Sequence, residues 1–147
     1  PPRGPLAAAR IAQDDEPDYS TYRQRYLALQ QSMENQIAKL RGRLRATLAT
    51  QAPEKARLAM VDAIMERSLI LQERRMLSTI PGLLEGHFQR LRRAALAEQE
   101  QNGDAPPPAR LPPWLARFRQ DMRSVLLAEL DIRLQPIEGL LAAVRGN

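Results

Sequence analysis

A chain of 147 residues that is 44% apolar suits one domain with its own core, and its net charge of +5 balances 22 basic against 17 acidic residues. The absence of cysteine excludes zinc-thiolate sites, iron-sulfur clusters, thiol nucleophiles and disulfide frameworks together. No apolar run approaches the roughly 18–20 residues needed to cross a bilayer, so no transmembrane segment is expected.

Residues 1–17 open with three prolines and a glycine and carry no sustained pattern, which predicts a disordered or loosely docked arm. The first residue is Pro1 rather than methionine, as expected of an excised region or part of a longer protein. Asp14, Asp15, Glu16 and Asp18 then sit where carboxylates favour the positive end of a helix dipole, and Pro17 suits a first helical position. A helix over 17–49 follows, because Tyr19, Tyr22, Tyr26, Leu29, Met33, Ile37, Leu40, Leu44 and Leu48 recur at steps of three and four. Their mean step is about 3.6, the period of a straight helix rather than the 3.5 of a supercoil.

Thr50, Gln51 and Ala52 separate it from a second helix over 53–77 that Pro53 can begin, and so short a connection makes the two antiparallel neighbours. Leu58, Val61, Ile64, Met65, Leu69, Ile70, Leu71 and Met76 give this helix an apolar face wider than a two-helix seam requires, so it must touch more than one partner helix. Pro81 disfavours helical geometry at Ile80, and a third helix is expected over 81–101, capped by Thr79. A proline-rich linker over 102–112 leads to a fourth helix over 113–135, carrying Trp114, Leu115, Phe118, Met122, Val125, Leu126 and Leu130 inward. Pro136 is expected to kink or restart it, leaving a terminal helix over 136–145. The predicted fold is all-α: an elongated antiparallel bundle of four main helices with a Pro-kinked C-terminal helix, forming a single domain over 18–145.

Catalytic chemistry finds little to build on. The lone histidine, His87, has no second histidine with which to hold zinc or a di-iron pair, and shares a face with Leu84 and Leu91, so a core or boundary role is expected. No serine sits in a nucleophile elbow, and the glycine motifs of phosphate and dinucleotide loops are absent. The acid pairs Asp62 with Glu66 and Glu129 with Asp131 read as solvated helix-surface groups, Glu129 having Arg133 at a favourable spacing. The chain is expected to be non-enzymatic, with no cofactor, metal or catalytic residue.

Two features could mark a partner surface. A small-residue stripe, Ala28, Ala38, Gly42, Ala46 and Ala49, lies opposite the apolar stripe of the first helix and would admit close approach of another chain. Arg41, Arg43 and Arg45, then Arg90, Arg92 and Arg93, then Arg119 and Arg123, form clusters whose like charges need an anion, either phosphate or a carboxylate of a neighbouring helix. Since 17 carboxylates dilute the positive charge along the chain, and since arginine accompanied by alanine and proline is what a GC-rich genome encodes, nucleic acid binding ranks below a solvated face.

The segments Tyr22-Arg23-Gln24-Arg25-Tyr26-Leu27-Ala28-Leu29-Gln30-Gln31-Ser32-Met33-Glu34, Ile80-Pro81-Gly82-Leu83-Leu84-Glu85-Gly86-His87-Phe88, Phe118 to Met122 and Leu134 to Leu141 resemble the C-terminal, helical two-thirds of a proteobacterial family of unknown function, over residues 18–145. The resemblance implies an upstream part absent from this chain. It also implies genes beside those of membrane proteins similar to MotA or TolQ and to OmpA or MotB, hence a cytoplasmic accessory of an ion-driven envelope complex. It supplies no catalytic residues. The expected function is a protein-interaction or assembly module, homo-oligomeric or bound to a protein partner. An arginine-mediated nucleic acid binder is the alternative.

Overall fold

The computed structural model describes residues 18–103 and 111–146, and among them the chain is helical with no strand. The expected arm over 1–17 and most of the linker over 102–112 lie outside the described residues. Four helical segments are present: α1 (Tyr19–Ala49), α2 (Pro53–Leu77), α3 (Ile80–Asn102) and α4 (Pro113–Arg145).

Each terminus follows from its local chemistry. Asp18 caps α1, its carboxylate accepting from the Ser20 backbone N–H. Proline occupies the first turn of α2, α3 and α4, where its missing N–H costs nothing. Gly103 closes α3 in the left-handed region at φ 65°, a conformation other residues adopt only with strain. Thr79 stands at the start of α3 without capping it, because its hydroxyl donates back to the Met76 carbonyl. Ser78 and Thr79 keep right-handed helical angles, so α3 leaves α2 without reversing direction, and Ile80 is helical despite the proline after it.

The expected side-by-side arrangement of four helices is therefore corrected to three rods in cross-section. α1 packs extensively along α4 and α2, and α3 packs on both α4 and α1, whereas α2 touches α4 only sparsely and does not pack against α3; α2 and α3 lie in series. The pairings fix the directions. Arg41 meets Asp62, Glu34 meets Arg74 and Gln30 meets the Leu77 carbonyl, so α2 runs antiparallel to α1. Along α4, Ala59 packs with Leu140, Glu73 faces Arg133, His87 meets Asp121 and Phe88 stacks on Trp114, so α4 runs back along both α2 and α3. It is parallel to α1.

Of the expected kink or restart at Pro136 the restart is corrected, because α4 continues through it to Arg145. Proline cannot donate to the carbonyl four residues back, but that carbonyl belongs to Ile132, which is half exposed and open to water. Arg133, Ile137 and Leu140 are buried on both sides of the lost bond and anchor the helix there.

Two clusters form the core. At one end Tyr19, Tyr26, Leu84, Phe88, Leu115 and Phe118 bring α1, α3 and α4 together, with Tyr22, Trp114 and Met122 packed around them. At the other, Leu48, Ala59 and Leu140 are buried, with Leu44, Ala143 and Val144 beside them.

Candidate functional site

Between the clusters lies a buried polar junction that sequence reasoning placed on the surface. Glu129 is only 2% exposed, correcting its expected solvated position. Its Oε1 accepts from the Tyr26 hydroxyl at 3.0 Å and from Gln30 Nε2 at 2.8 Å, and its Oε2 accepts from Arg133 Nε at 3.0 Å. The signal was in the spacing: Leu115, Phe118, Met122, Leu126, Glu129, Arg133, Ile137 and Leu140 step by three or four, which puts the acid and its arginine on the buried line of α4. Burial first, then the charge and hydrogen bond of Glu129, push the Tyr26 phenol far above its ordinary value, so it stays a donor. Both Glu129 oxygens are satisfied within the chain, and Gln30 Nε2 also donates to the Leu77 carbonyl, which makes the junction a structural clasp among α1, α2 and α4.

The arginines fall into two groups. Arg41 and Arg45 answer their like-charge stacking within the chain: Arg41 donates through Nε and Nη2 to both Asp62 oxygens at 2.9 and 2.8 Å, while Arg45 donates to Asp62 at 3.0 Å and to Glu66 at 3.4 Å. Asp62 feels burial most, which raises its pKa, but the hydrogen bonds from Arg41 and Arg45 outweigh it and hold the carboxyl below its usual range. Arg43, Arg90, Arg93, Arg119 and Arg123 are exposed, and Arg92 is partly covered. Arg90, Arg92 and Arg93 lie on α3 beyond the level of Tyr19, whereas Arg43 lies 24 residues along α1, about 36 Å away along its axis. Arg43 is therefore remote from the α3 cluster, whereas the contact of His87 with Asp121 sets Arg90 and Arg119 at one end of the molecule.

His87 reaches Asp121 at 2.8 Å and lies against the Phe118 ring. Glu66 joins the arginine cluster and Asp131 is exposed on α4, so the acid pairs do not meet in a common cleft. Among the described residues no three His, Cys, Asp or Glu side chains gather as a metal site. The small-residue stripe is open along α1: Ala38, Ala46 and Ala49 are exposed, and a Cβ built on Gly42 meets nothing within 4 Å.

The feature of greatest consequence lies on α2. Leu58, Met60, Val61, Ile64, Met65, Leu69, Leu71 and Met76 are between 44% and 66% exposed. The wide apolar face is present, but within one chain only its inner edge is covered, by α1 and by sparse contact with α4. Between α2 and α4 a groove of about 370 Å³ is left, walled by Leu58, Val61, Met65 and Leu69 on one side and by Pro136, Gly139 and Leu140 on the other. An amphipathic surface helix buries one stripe and solvates the rest; here the outer half of the helix is also apolar.

Among the described residues no helix is long and apolar enough to cross a membrane. Comparisons with curated proteins and with solved structures find no match to the chain. The sequence profile of one family does match, across residues 2–146, and the chain belongs to that family, the proteins of unknown function DUF3348.

Proposed function

We propose that the protein is a non-enzymatic assembly module whose working surface is the outer apolar face of α2 and the groove beside it. One observation carries this reading: eight large apolar side chains on a single helix stand half exposed in the isolated chain. Apolar side chains exposed in such number along one helix mark an interaction surface more often than a solvated one. Its side chains have the helix-in-groove form of many protein interfaces, with apolar anchors at steps of three and four. An envelope-associated complex reached from the cytoplasm is a setting that rests on the family resemblance alone. Arginine-mediated nucleic acid binding is the weaker alternative, since Arg41 and Arg45 are engaged by Asp62 and Glu66 and Arg43 lies far along α1 from the arginines of α3.

The test is capture of the intact protein from its own cells, comparing the unaltered chain with Leu69→Glu. A copurifying polypeptide, whether another copy of this chain or a different one, should be lost in the variant while far-UV helix content is kept. Recovery of the same polypeptides from both would overturn the assembly reading. Nucleic acid retained by both and shed steeply with salt would favour the alternative.

A further inference from the structure

Resting on that reading, we infer that the occupant of the groove is a second copy of this chain, whose α2 packs antiparallel against α2 about a two-fold axis level with Arg67. The argument is the symmetry of the exposed stripe. Leu58 and Met76 lie nine residues to either side of Arg67, and Met65 and Leu69 lie two to either side. At about 100° per residue these four side chains fall within about 20° of one line along the helix. A two-fold interface requires a surface that is its own complement. The four residues of this line satisfy it, because reversing the helix puts Leu58 opposite Met76 of the second copy and Met65 opposite Leu69, while Val61 beside them falls level with Glu73.

The charges fit the same arrangement. Arg67, at the centre, points about 180° away from the stripe, so the axis does not bring two guanidinium groups together. Glu66 and Asp62 lie toward α1, already bonded to Arg41 and Arg45. The second wall of the groove is also suited to a helix: Pro136 and Gly139 of α4 present little side-chain bulk, so a backbone can approach. In a pair of copies each α2 would lie in the groove of the other, converting two incomplete helix pairs into one four-helix core.

The stripe itself is open: Leu58 is 44%, Met65 51%, Leu69 49% and Met76 65% exposed, with Val61 at 51% beside it, whereas Met60 and Leu71 turn away with Arg67. An unrelated partner helix would need apolar residues on α2 but not a palindromic order of them.

Two experiments on the purified full chain test the inference. Light scattering should give the mass of two chains, unchanged between low and high salt, and Leu69→Glu should halve it at the same concentration with helix content retained. Met65→Arg, placed on the same stripe, serves if Leu69→Glu fails to fold. Because the protein has no cysteine, register can be read directly. A chain carrying both Leu58→Cys and Met76→Cys should form a covalent dimer with a short thiol cross-linker, while either substitution alone should not, since like positions would sit about 27 Å apart along the axis. A dimer that survives Leu69→Glu, or cross-linking by a single-cysteine chain, would overturn the arrangement. A chain monomeric at about 100 μM would overturn the second copy as occupant. If capture from cells still loses a different polypeptide on Leu69→Glu, the assembly reading stands without this inference; if it loses none, both fall.

Discussion

The two ends of this molecule solve the same problem with different means. At the aromatic end three helices meet around Tyr26, Phe88 and Phe118, all fully buried, and the rings stack edge to face at centroid separations of 5.0–5.4 Å for Phe88 with Phe118, Phe88 with Trp114 and Tyr22 with Phe118. At the other end the buried apolar cluster is Leu48, Ala59 and Leu140, with Ile137 one turn before Leu140, and α2 is seated on α1 largely through Arg41 and Arg45 with Asp62 and Glu66. One end closes its own core. The other uses ion pairs on its inner side and leaves apolar residues on its outer side, the distribution expected where the remaining core comes from outside the chain.

The sharpest test of the contrast is to break the closed end. Phe118→Ala removes a side chain with no exposed surface that contacts Tyr19, Tyr22 and Phe88, and should cost about 3–5 kcal/mol, read as a loss in the midpoint of urea unfolding. Leu58→Ala at the open end removes a half-exposed side chain and should cost well under half of that at concentrations where the chain is dissociated. Equal costs would mean that the two ends do not differ as the burial indicates.

A second break falls at the junction between the ends. Glu129→Gln keeps the shape and one acceptor but leaves Arg133, 7% exposed, with only Glu73 at 3.8 Å to offset its charge. A loss of about 2–3 kcal/mol is expected, and Arg133→Met in the same chain should recover much of it, since the penalty is an unpaired buried charge rather than a lost contact. A double variant no more stable than the single one would refute that cause.

How much of this was legible beforehand depends on what each residue answers to. The stripe from Tyr19 to Leu48 and the run from Trp114 to Leu126 answer to local period, and both form helices on the register the spacing implies. The continuity of α4 past Pro136 answers to burial of residues on both sides, which local rules for proline do not contain. Glu129 was misplaced because an acid and an arginine four apart suit a solvated face as well as a buried one, and only the phase of the surrounding apolar residues separates the two. The serial placement of α2 and α3 depends on whether Ser78 and Thr79 reverse the chain, and residues that accept right-handed helical angles so readily carry no signal for that choice. The width of the apolar face on α2 was fully visible. That it exceeds what one chain covers required knowing that α3 lies beyond its end rather than beside it.

Acid should act first on the open end. Asp62 is held below the usual carboxylate range by Arg41 and Arg45, so its contribution is fully present above its unfolded value and is lost as pH falls below about 4 toward the folded value. Asp62→Asn should cost about 1 kcal/mol at neutral pH and flatten the acid limb of the stability profile, while amide exchange in α2 should rise before exchange in α3. An unchanged acid limb in the variant would assign the pH dependence elsewhere.

The smallest effect discriminates between the two candidate surfaces. Among the described residues nothing beyond the adjoining backbone of α1 stands within 4 Å of a Cβ at Gly42, so Gly42→Ala should stabilise α1 by about 0.5–1 kcal/mol through a lower unfolded-state entropy and a better helix propensity. That gain holds only if the small-residue stripe faces water in the assembled protein as well. If a second backbone packs on Ala38, Gly42 and Ala46, the added methyl group would separate the chains, and the same substitution would weaken association while Leu69→Glu left it intact. A stabilised monomer with unchanged assembly would instead leave the outer face of α2 as the surface that joins copies, and would reduce the stripe on α1 to the small side chains of a solvated helix.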